Sequence, residues 1–374
     1  MIESARLVDL VQSRLDRLID DRSLILSGIA EEVAPFGAFS RQFLRGGKRF
    51  RALFAYWGWQ GVRGASFDPM PELGNGPSEV ELEGIVSLAS AIEVFHAAAL
   101  VHDDLIDSSD TRRGAPSAHR RFERLHQESR WAGDPVSFGT AAAILFGDLL
   151  LTWSDDLMTE GLLYTDDRDA AFAARAEWEQ MRIDVTAGQY LDLVEERAWP
   201  TVDDEDALPR AQRVILYKSA KYSVEAPLVL GASLGGGTDH QIDSLRQFGV
   251  PLGIAFQLRD DLLGVFGDAA ITGKPSGDDL REGKRTVLIT LARTAMPTTS
   301  RHLMDELLGD RELEEDQIAL LQESIHRSGA VEKVERMIED NVLRASLALE
   351  RAPLTAPAKA QLASLMRAAT DRAS

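Results

Sequence analysis

The chain has 374 residues, no cysteine and a formal net charge of −19. The missing thiols exclude disulfides, thiolate metal sites and cysteine nucleophiles, and the acidity argues against nucleic acid as a general partner, because a phosphate backbone needs a positive surface. At 44% hydrophobic residues a sizeable core is available, no run of eighteen apolar residues predicts a membrane span, the N-terminus does not read as a secretory signal, and a cytoplasmic location fits.

Apolar residues recur at helical spacing along the whole chain, and convincing alternating strands are absent. The pattern predicts helices over 4–32, 40–59, 79–108, 118–128, 138–159, 168–195, 208–234, 239–267, 284–295, 300–309, 314–328, 331–350 and 356–371. No repeat or linker divides the chain, so the expectation is all-α, one domain spanning 1–374. Three loops interrupt the helices. Residues 61–78 are rich in Gly and Pro, residues 109–117 read SDTRRGAPS, and residues 267–283 read GDAAITGKPSGDDLREG.

The first chemical signal in chain order is RQFLRGGKRFR at 41–51, which holds five basic side chains and no acidic one. A local basic cluster in an acidic protein points to an anionic ligand, and a diphosphate would suit it. The second is HDDLIDSSDTRRG at 102–114. Asp103 and Asp107, four residues apart, stand roughly 40° apart around a helix and about one turn along it. Such a pair repels unless a cation lies between, and oxygen ligands without cysteine suit Mg²⁺, which keeps some waters and also takes phosphate oxygens. A solvated acidic helix end is the plainer explanation, but the apolar VFHAAALV just upstream implies a buried helix ending at a cavity. Asp104 points about 100° away and is expected to support the site. Arg112 and Arg113 follow, able to hold phosphate with two parallel hydrogen bonds or simply to pair with the aspartates.

The third signal is FQLRDDLLGVFGD at 256–268, with Asp260 and Asp261 on an apolar helix and Gln257 one turn earlier. Lys274 and Lys284 follow in a loop that does not fit a nucleotide-binding pattern, since five residues separate Gly267 from Gly273 and Pro275 follows Lys274.

Together GGKRFR at 46–51, DDLID at 103–107 with RRG, GQYLD at 188–192, KSAKYS at 218–223, FQLRDD at 256–261 and the later TGK and GKRT resemble the trans-isoprenyl diphosphate synthases over residues 40–290. The resemblance implies a helical bundle around a deep central cavity, a homodimer, and Mg²⁺-dependent condensation of isopentenyl diphosphate with an allylic diphosphate. It implies isopentenyl diphosphate contacts at Lys48, Arg51, His96 and Arg113. It implies two or three Mg²⁺ ions held by Asp103, Asp107 and Asp260. It further implies allylic diphosphate contacts at Arg112, Lys218, Lys274 and Lys284, oxygens facing developing positive charge at Ser219 and Gln257, and orienting roles for Gln189 and Asp192. Two positions depart from the pattern. Gly264 stands where the family often has a third aspartate, with Asp268 ~12 Å from Asp260 along a helix, and Ser219 stands where Thr is usual. Competing readings are a class I terpene cyclase and a non-catalytic partner subunit.

Traced backward at helical spacing, the Asp103–Asp107 face passes Ala99, His96 and Phe95, then Ile92, Ala89 and Leu88. Ala98 and Ala99 leave the upper part of this wall open. Phe95, ~12 Å below Asp103, is the first bulky side chain, and a floor at that depth predicts a product of about twenty carbons.

Overall fold

The computed structural model describes residues 2–63, 78–112, 114–267 and 276–370. The chain divides into two compact units, one made of 1–175 with 227–238, the other of 176–226 with 239–374.

The first unit is built on two long helices. Helix α4 (Glu79–Ile106) starts at a capping box, in which the Ser78 hydroxyl accepts from Glu81 N–H and the Glu81 carboxylate accepts from Ser78 N–H. These reciprocal bonds satisfy amide groups that a helix start leaves without partners. Helix α6 (Pro135–Leu163) starts at Asp134, whose carboxylate accepts from Val136 and Ser137 N–H, with proline at the first helical position. From Gly84 to Ala98 only His96 of α4 keeps appreciable exposure. Around the pair lie α1 (Ile2–Ser27), α2 (Ala34–Phe43), α3 (Phe50–Val62) and α5 (Ala118–Ser129). Phe36 of α2, Phe122 of α5 and Phe146 of α6 form a ring cluster with centroids 5.6–6.0 Å apart.

The predicted helix over 40–59 is broken: α2 ends at Phe43 and α3 begins at Phe50. Between them Gly46 and Gly47 take φ of 68° and 87°, and Arg49 takes φ of 51°. The left-handed region is open to glycine and ends a right-handed helix. The loop at 109–117 also holds a short antiparallel hairpin, Thr111–Arg112 against Ala115–Pro116, that alternation did not reveal.

Among the described residues two helices, α4 and α6, are long and apolar enough to cross a membrane, where none was expected from the sequence. For α4, 83% of the apolar window is buried inside the protein, so it is a core helix here. For α6 the buried share is 33%, and Val136, Ile144 and Leu145 are exposed.

The second unit collects the later part of α7 (Arg168–Ala198), α8 (Asp204–Val214), a π-helix over Ile215–Glu225, and α10 (Asp239–Phe266), whereas α9 (Ala226–Leu234) lies almost wholly in the first unit. Helices α11 (Asp278–Glu282), α12 (Val287–Ala295), α13 (Thr298–Leu307), α14 (Glu315–Arg327), α15 (Ala330–Arg351) and α16 (Ala356–Thr370) complete it. Leu258, Leu262 and Val265 of α10 pack with Leu280, Val287, Leu288, Ile325, Val334 and Ile338 in one core. Truncating Leu258, wholly buried, to alanine costs about 2–5 kcal/mol. The predicted helix over 208–234 is three segments, and its middle is the π-helix that carries Lys218 and Ser219. A 3.6-residue periodicity cannot distinguish that wider turn, which concentrates at functional sites.

Candidate active site

In the first unit the basic loop divides its cations by burial. Arg49 is 7% exposed, and its guanidinium donates to Glu93 Oε2 at 2.9 Å, to Gln12 Oε1 at 2.9 Å and to the Leu44 carbonyl. Both members of the Arg49–Glu93 pair are nearly sealed from solvent, and losing one partner of such a pair costs about 3–5 kcal/mol. Arg49 thus anchors the loop. Lys48 is exposed, its ammonium 5.9 Å from the Phe50 ring centroid, and Arg51 is half-buried. Sequence reasoning missed the Arg49–Glu93 anchor. Its signal was a lone acid in the apolar run SAIEVF, which burial of α4 obliges to find a cation.

At the C-terminal end of α4 three aspartates take three different positions. The Asp103 side chain is 19% exposed, while Asp104 is fully buried. Asp107 is buried at the helix end, its N–H donating to the Asp103 carbonyl at 2.8 Å. Arg112, carried back by the hairpin, donates Nε–H to Asp104 Oδ1 at 2.8 Å and places Nη2 3.5 Å from Asp103 Oδ2. The plainer of the two sequence readings of Arg112, pairing with an aspartate, is present, and Asp104 is the residue that holds it. The hairpin is tied to α5 by Ser117 N–H to the Asp110 carbonyl at 2.9 Å and by Arg120 Nε–H to Asp110 at 2.7 Å. His119, beside Ser117, has a pKa lowered by burial and by the Arg120 charge, against the pull of Asp110 and Glu123. Arg113 lies outside the described residues.

Along the wall of α4 traced from the sequence, His96 and Ala99 are half-buried, whereas Ala98, Phe95, Ile92, Ala89 and Leu88 are buried. A cavity of about 740 Å³ bordered by Arg6, Arg14, Arg17, Glu83, Ser87 and Glu160 meets the opposite end of α4. Ser87 lies sixteen residues, ~24 Å, from Asp103, so this cavity is not where the aspartates stand.

In the second unit Lys218 Nζ donates to Asp192 at 2.5 Å. Gly188 lets α7 approach the π-helix, because a Cβ there would overlap the backbone of Tyr217 and Lys218. Gln189, next in sequence, and Ser219 are half-buried. On α10 Asp260 is exposed, and Asp261 is 4% exposed. The Gln257 amide nitrogen donates to Asp261 Oδ1 at 2.8 Å, which turns its amide oxygen the other way. Burial pushes the Asp261 carboxyl well above the usual range, Gln257 pulls the other way, and Asp279, Asp260 and Asp192 raise it further. Lys284 Nζ lies 2.6 Å from Glu282 and 3.7 Å from Asp279. Its neighbour Arg285 stacks 3.8 Å over Trp199. Lys274 lies outside the described residues, as does Asp268.

Among the described residues no three His, Cys, Asp or Glu side chains already converge as a metal cage. The donors are nevertheless suited to a hard divalent ion completed by water and phosphate oxygens. Asp261 Oδ2 is buried and accepts no hydrogen bond, a cost that a nearby cation relieves.

Comparison with known proteins shows the family. The profile of the family described as polyprenyl synthetase matches residues 36–325. A geranylfarnesyl diphosphate synthase from Aeropyrum pernix is 31% identical over 281 residues, covering 75% of this chain and 80% of that protein. The crystal structure of a geranylgeranyl pyrophosphate synthase from Corynebacterium glutamicum, complexed with isoprenyl diphosphate and magnesium, is 37% identical. It superposes with a TM-score of 0.88 over 98% of this chain and 99% of that one. A polyprenyl synthase from Caulobacter crescentus, complexed with calcium and isoprenyl diphosphate, is 26% identical with a TM-score of 0.74 over 99% and 97% of the two chains. The all-α fold, the ordered motifs and the match over most of the length make this chain a member of the polyprenyl synthetase family, an isoprenyl diphosphate synthase.

Proposed function

We propose that the enzyme condenses isopentenyl diphosphate with an allylic diphosphate, head to tail and in trans, to a product of about twenty carbons, releasing diphosphate. The observation that carries this reading is the end of α4. There Asp103 and Asp107 stand on successive turns while buried Asp104 holds Arg112 beside Asp103.

In this reading Asp103, Asp107 and Asp260 hold two or three Mg²⁺ ions, as the magnesium in the Corynebacterium glutamicum structure supports. Magnesium bound there supplies Lewis-acid neutralisation of the leaving diphosphate. The chain's own cations complete that clamp: Arg112, Lys218, Lys274 and Lys284 hold the allylic diphosphate, and Lys48, Arg51, His96 and Arg113 hold isopentenyl diphosphate. Asp192 and Gln189 orient Lys218 and its neighbours. The oxygens of Ser219 and Gln257 face the positive charge that develops as the allylic C–O bond breaks, favouring it electrostatically. Holding both substrates in line contributes through orientation, and exclusion of water protects the cation. Released diphosphate accepts the final proton.

The same reading makes the enzyme a homodimer, with a second copy covering the apolar face of α6. Val136, Ile144 and Leu145 there are 50%, 44% and 60% exposed, and α6 is as apolar as a membrane span with only a third of its window buried. Sedimentation of the wild type as a dimer and of Leu145→Glu as a monomer checks this assignment.

The deciding experiment incubates the purified chain with labelled isopentenyl diphosphate, an allylic primer and Mg²⁺, and separates the products by chromatography. Chain growth is expected. Hydrocarbon release from farnesyl diphosphate alone would make the protein a cyclase, and inactivity of the single chain would make it a partner subunit.

A further inference from the structure

The second aspartate motif lacks its third acid, since position 264 is glycine. The space that a side chain at 264 would enter is filled from elsewhere. A Cβ built on Gly264 would overlap the Asp279 carboxylate, whose Oδ2, Cγ and Oδ1 are its three nearest atoms. Asp279 belongs to the short helix α11, fifteen residues further along the chain.

Asp279 is held in that position by its surroundings. Leu280 beside it is fully buried in the core of the unit. Gly277 and Gly283 bracket α11 with φ of 73° and 80°, conformations that side chains rarely adopt. Gly283 and Lys284 N–H both donate to the Asp279 carbonyl at 3.1 Å. The Asp279 side chain is 15% exposed, with Lys284 Nζ 3.7 Å from Oδ1. One turn before Gly264 stands Asp261, 4% exposed, with an Oδ2 that accepts no hydrogen bond. A buried carboxylate oxygen left without a donor, in a group of acids, calls for a cation.

We propose that Asp279 supplies, from α11, the carboxylate that Gly264 withholds from the second aspartate motif, and that Gly264 provides the room this carboxylate requires. The inference rests on the proposed function, because the cation it concerns is the magnesium of that reading. The chemistry is that of an oxygen donor set on a hard divalent ion, reached directly or through water. Gly264 is then not a defect in the motif. A side chain at 264 and the Asp279 carboxylate in its present place are mutually exclusive.

The test reads metal binding without turnover. Thermal unfolding of the full-length protein is followed against MgCl₂ concentration with inorganic diphosphate present. Wild type is compared with Asp279→Asn, Gly264→Ala, Asp103→Asn and the double variant Gly264→Asp/Asp279→Ser, which moves the carboxylate onto α10. Asp279→Asn is expected to raise the Mg²⁺ concentration for half-maximal stabilisation about tenfold. Gly264→Ala, which displaces the carboxylate without removing it, shifts it in the same direction, and the double variant returns it to within about threefold of wild type. An unchanged Mg²⁺ dependence in Asp279→Asn, while Asp103→Asn shifts it, overturns the proposal and leaves the proposed function standing. No Mg²⁺ response in the wild type overturns both. If Asp279→Asn does not fold, Gly264→Ala decides alone: a raised Mg²⁺ requirement supports the proposal, and an unchanged one overturns it.

Discussion

Each aspartate motif contains a DD pair, one on α4 and one on α10, and in each the second aspartate is the buried one. Asp104 is fully buried and Asp261 is 4% exposed. Their partners differ. Asp104 is matched by a guanidinium, so it serves as a charged post that fixes Arg112. Asp261 is matched only by the neutral amide of Gln257 and faces Asp260, Asp279 and Asp192. The same dipeptide therefore makes an anchor paired with a cation in one unit and, at Asp261, a buried carboxyl paired with an amide in the other. Removing one member of a buried charge pair leaves the other uncompensated, whereas a buried carboxyl met only by an amide, as at Asp261, is favoured in its charged form by a nearby cation.

The largest expected effect separates the carboxylates proposed to hold magnesium from the buried Asp104. Asp103→Ala and Asp107→Ala should each lower turnover by at least about a thousandfold, a loss of about 4 kcal/mol, with the fold intact by circular dichroism. Turnover of Asp107→Ala within tenfold of wild type would remove it from the metal site.

Next comes stability, where the two buried aspartates should part company. Asp104→Ala leaves Arg112 without its buried partner and should cost about 3 kcal/mol, the lower end of the range for a broken buried pair because Arg112 is 20% exposed. Asp261→Asn keeps the shape, removes one acid from a cluster of four, and should cost less than about 1 kcal/mol. Urea midpoints measured without Mg²⁺ compare the two. Equal losses would mean that both pairs act as anchors.

A smaller change is expected in product length. Ala98→Phe should shorten the product toward fifteen carbons, and Phe95→Ala should lengthen it, read by chromatography of the dephosphorylated alcohols. Phe95 is 5% exposed, so its truncation also costs about 3–5 kcal/mol and the assay is run below the lowered melting temperature. If neither variant moves the distribution, α4 is not the ruler.

The smallest effect concerns pH and only the first motif. His119 has its folded pKa lowered, chiefly by burial, so the unfolded chain binds the proton more readily. The stability it contributes is present above the unfolded value near 6.5 and is lost as pH falls through that value toward the folded one. His119→Gln should therefore flatten the fall in melting temperature between pH 7 and pH 5. An identical fall in both proteins would show that the hairpin does not sense this histidine.

Much of the fold was legible in the sequence because burial leaves a periodic record. The long helices α4, α6, α7 and α10 were each foreseen to within four residues at either end. The failures share a cause. The break between α2 and α3 lies at the positive φ of Gly46, Gly47 and Arg49, and the π-helix within 208–234 packs closely on Gly188, backbone features that a pattern of apolar residues does not encode. The candidate site was legible as residue types at fixed spacings, but Arg49 counted only as one of five cations and Glu93 and Asp279 drew no notice, because each acquires its place from a residue outside its own helix turn.

The sequence alone determined the helical class, the positions of both DD pairs and the concentration of cations near 41–51, since these depend on composition and on angles within one helix. Only the tertiary structure decided which aspartate of each pair is buried and which cation anchors the loop. It also decided that the space beside Gly264 belongs to Asp279. Spacing within a helix fixes where a side chain leaves the axis, and the neighbouring element fixes what it meets.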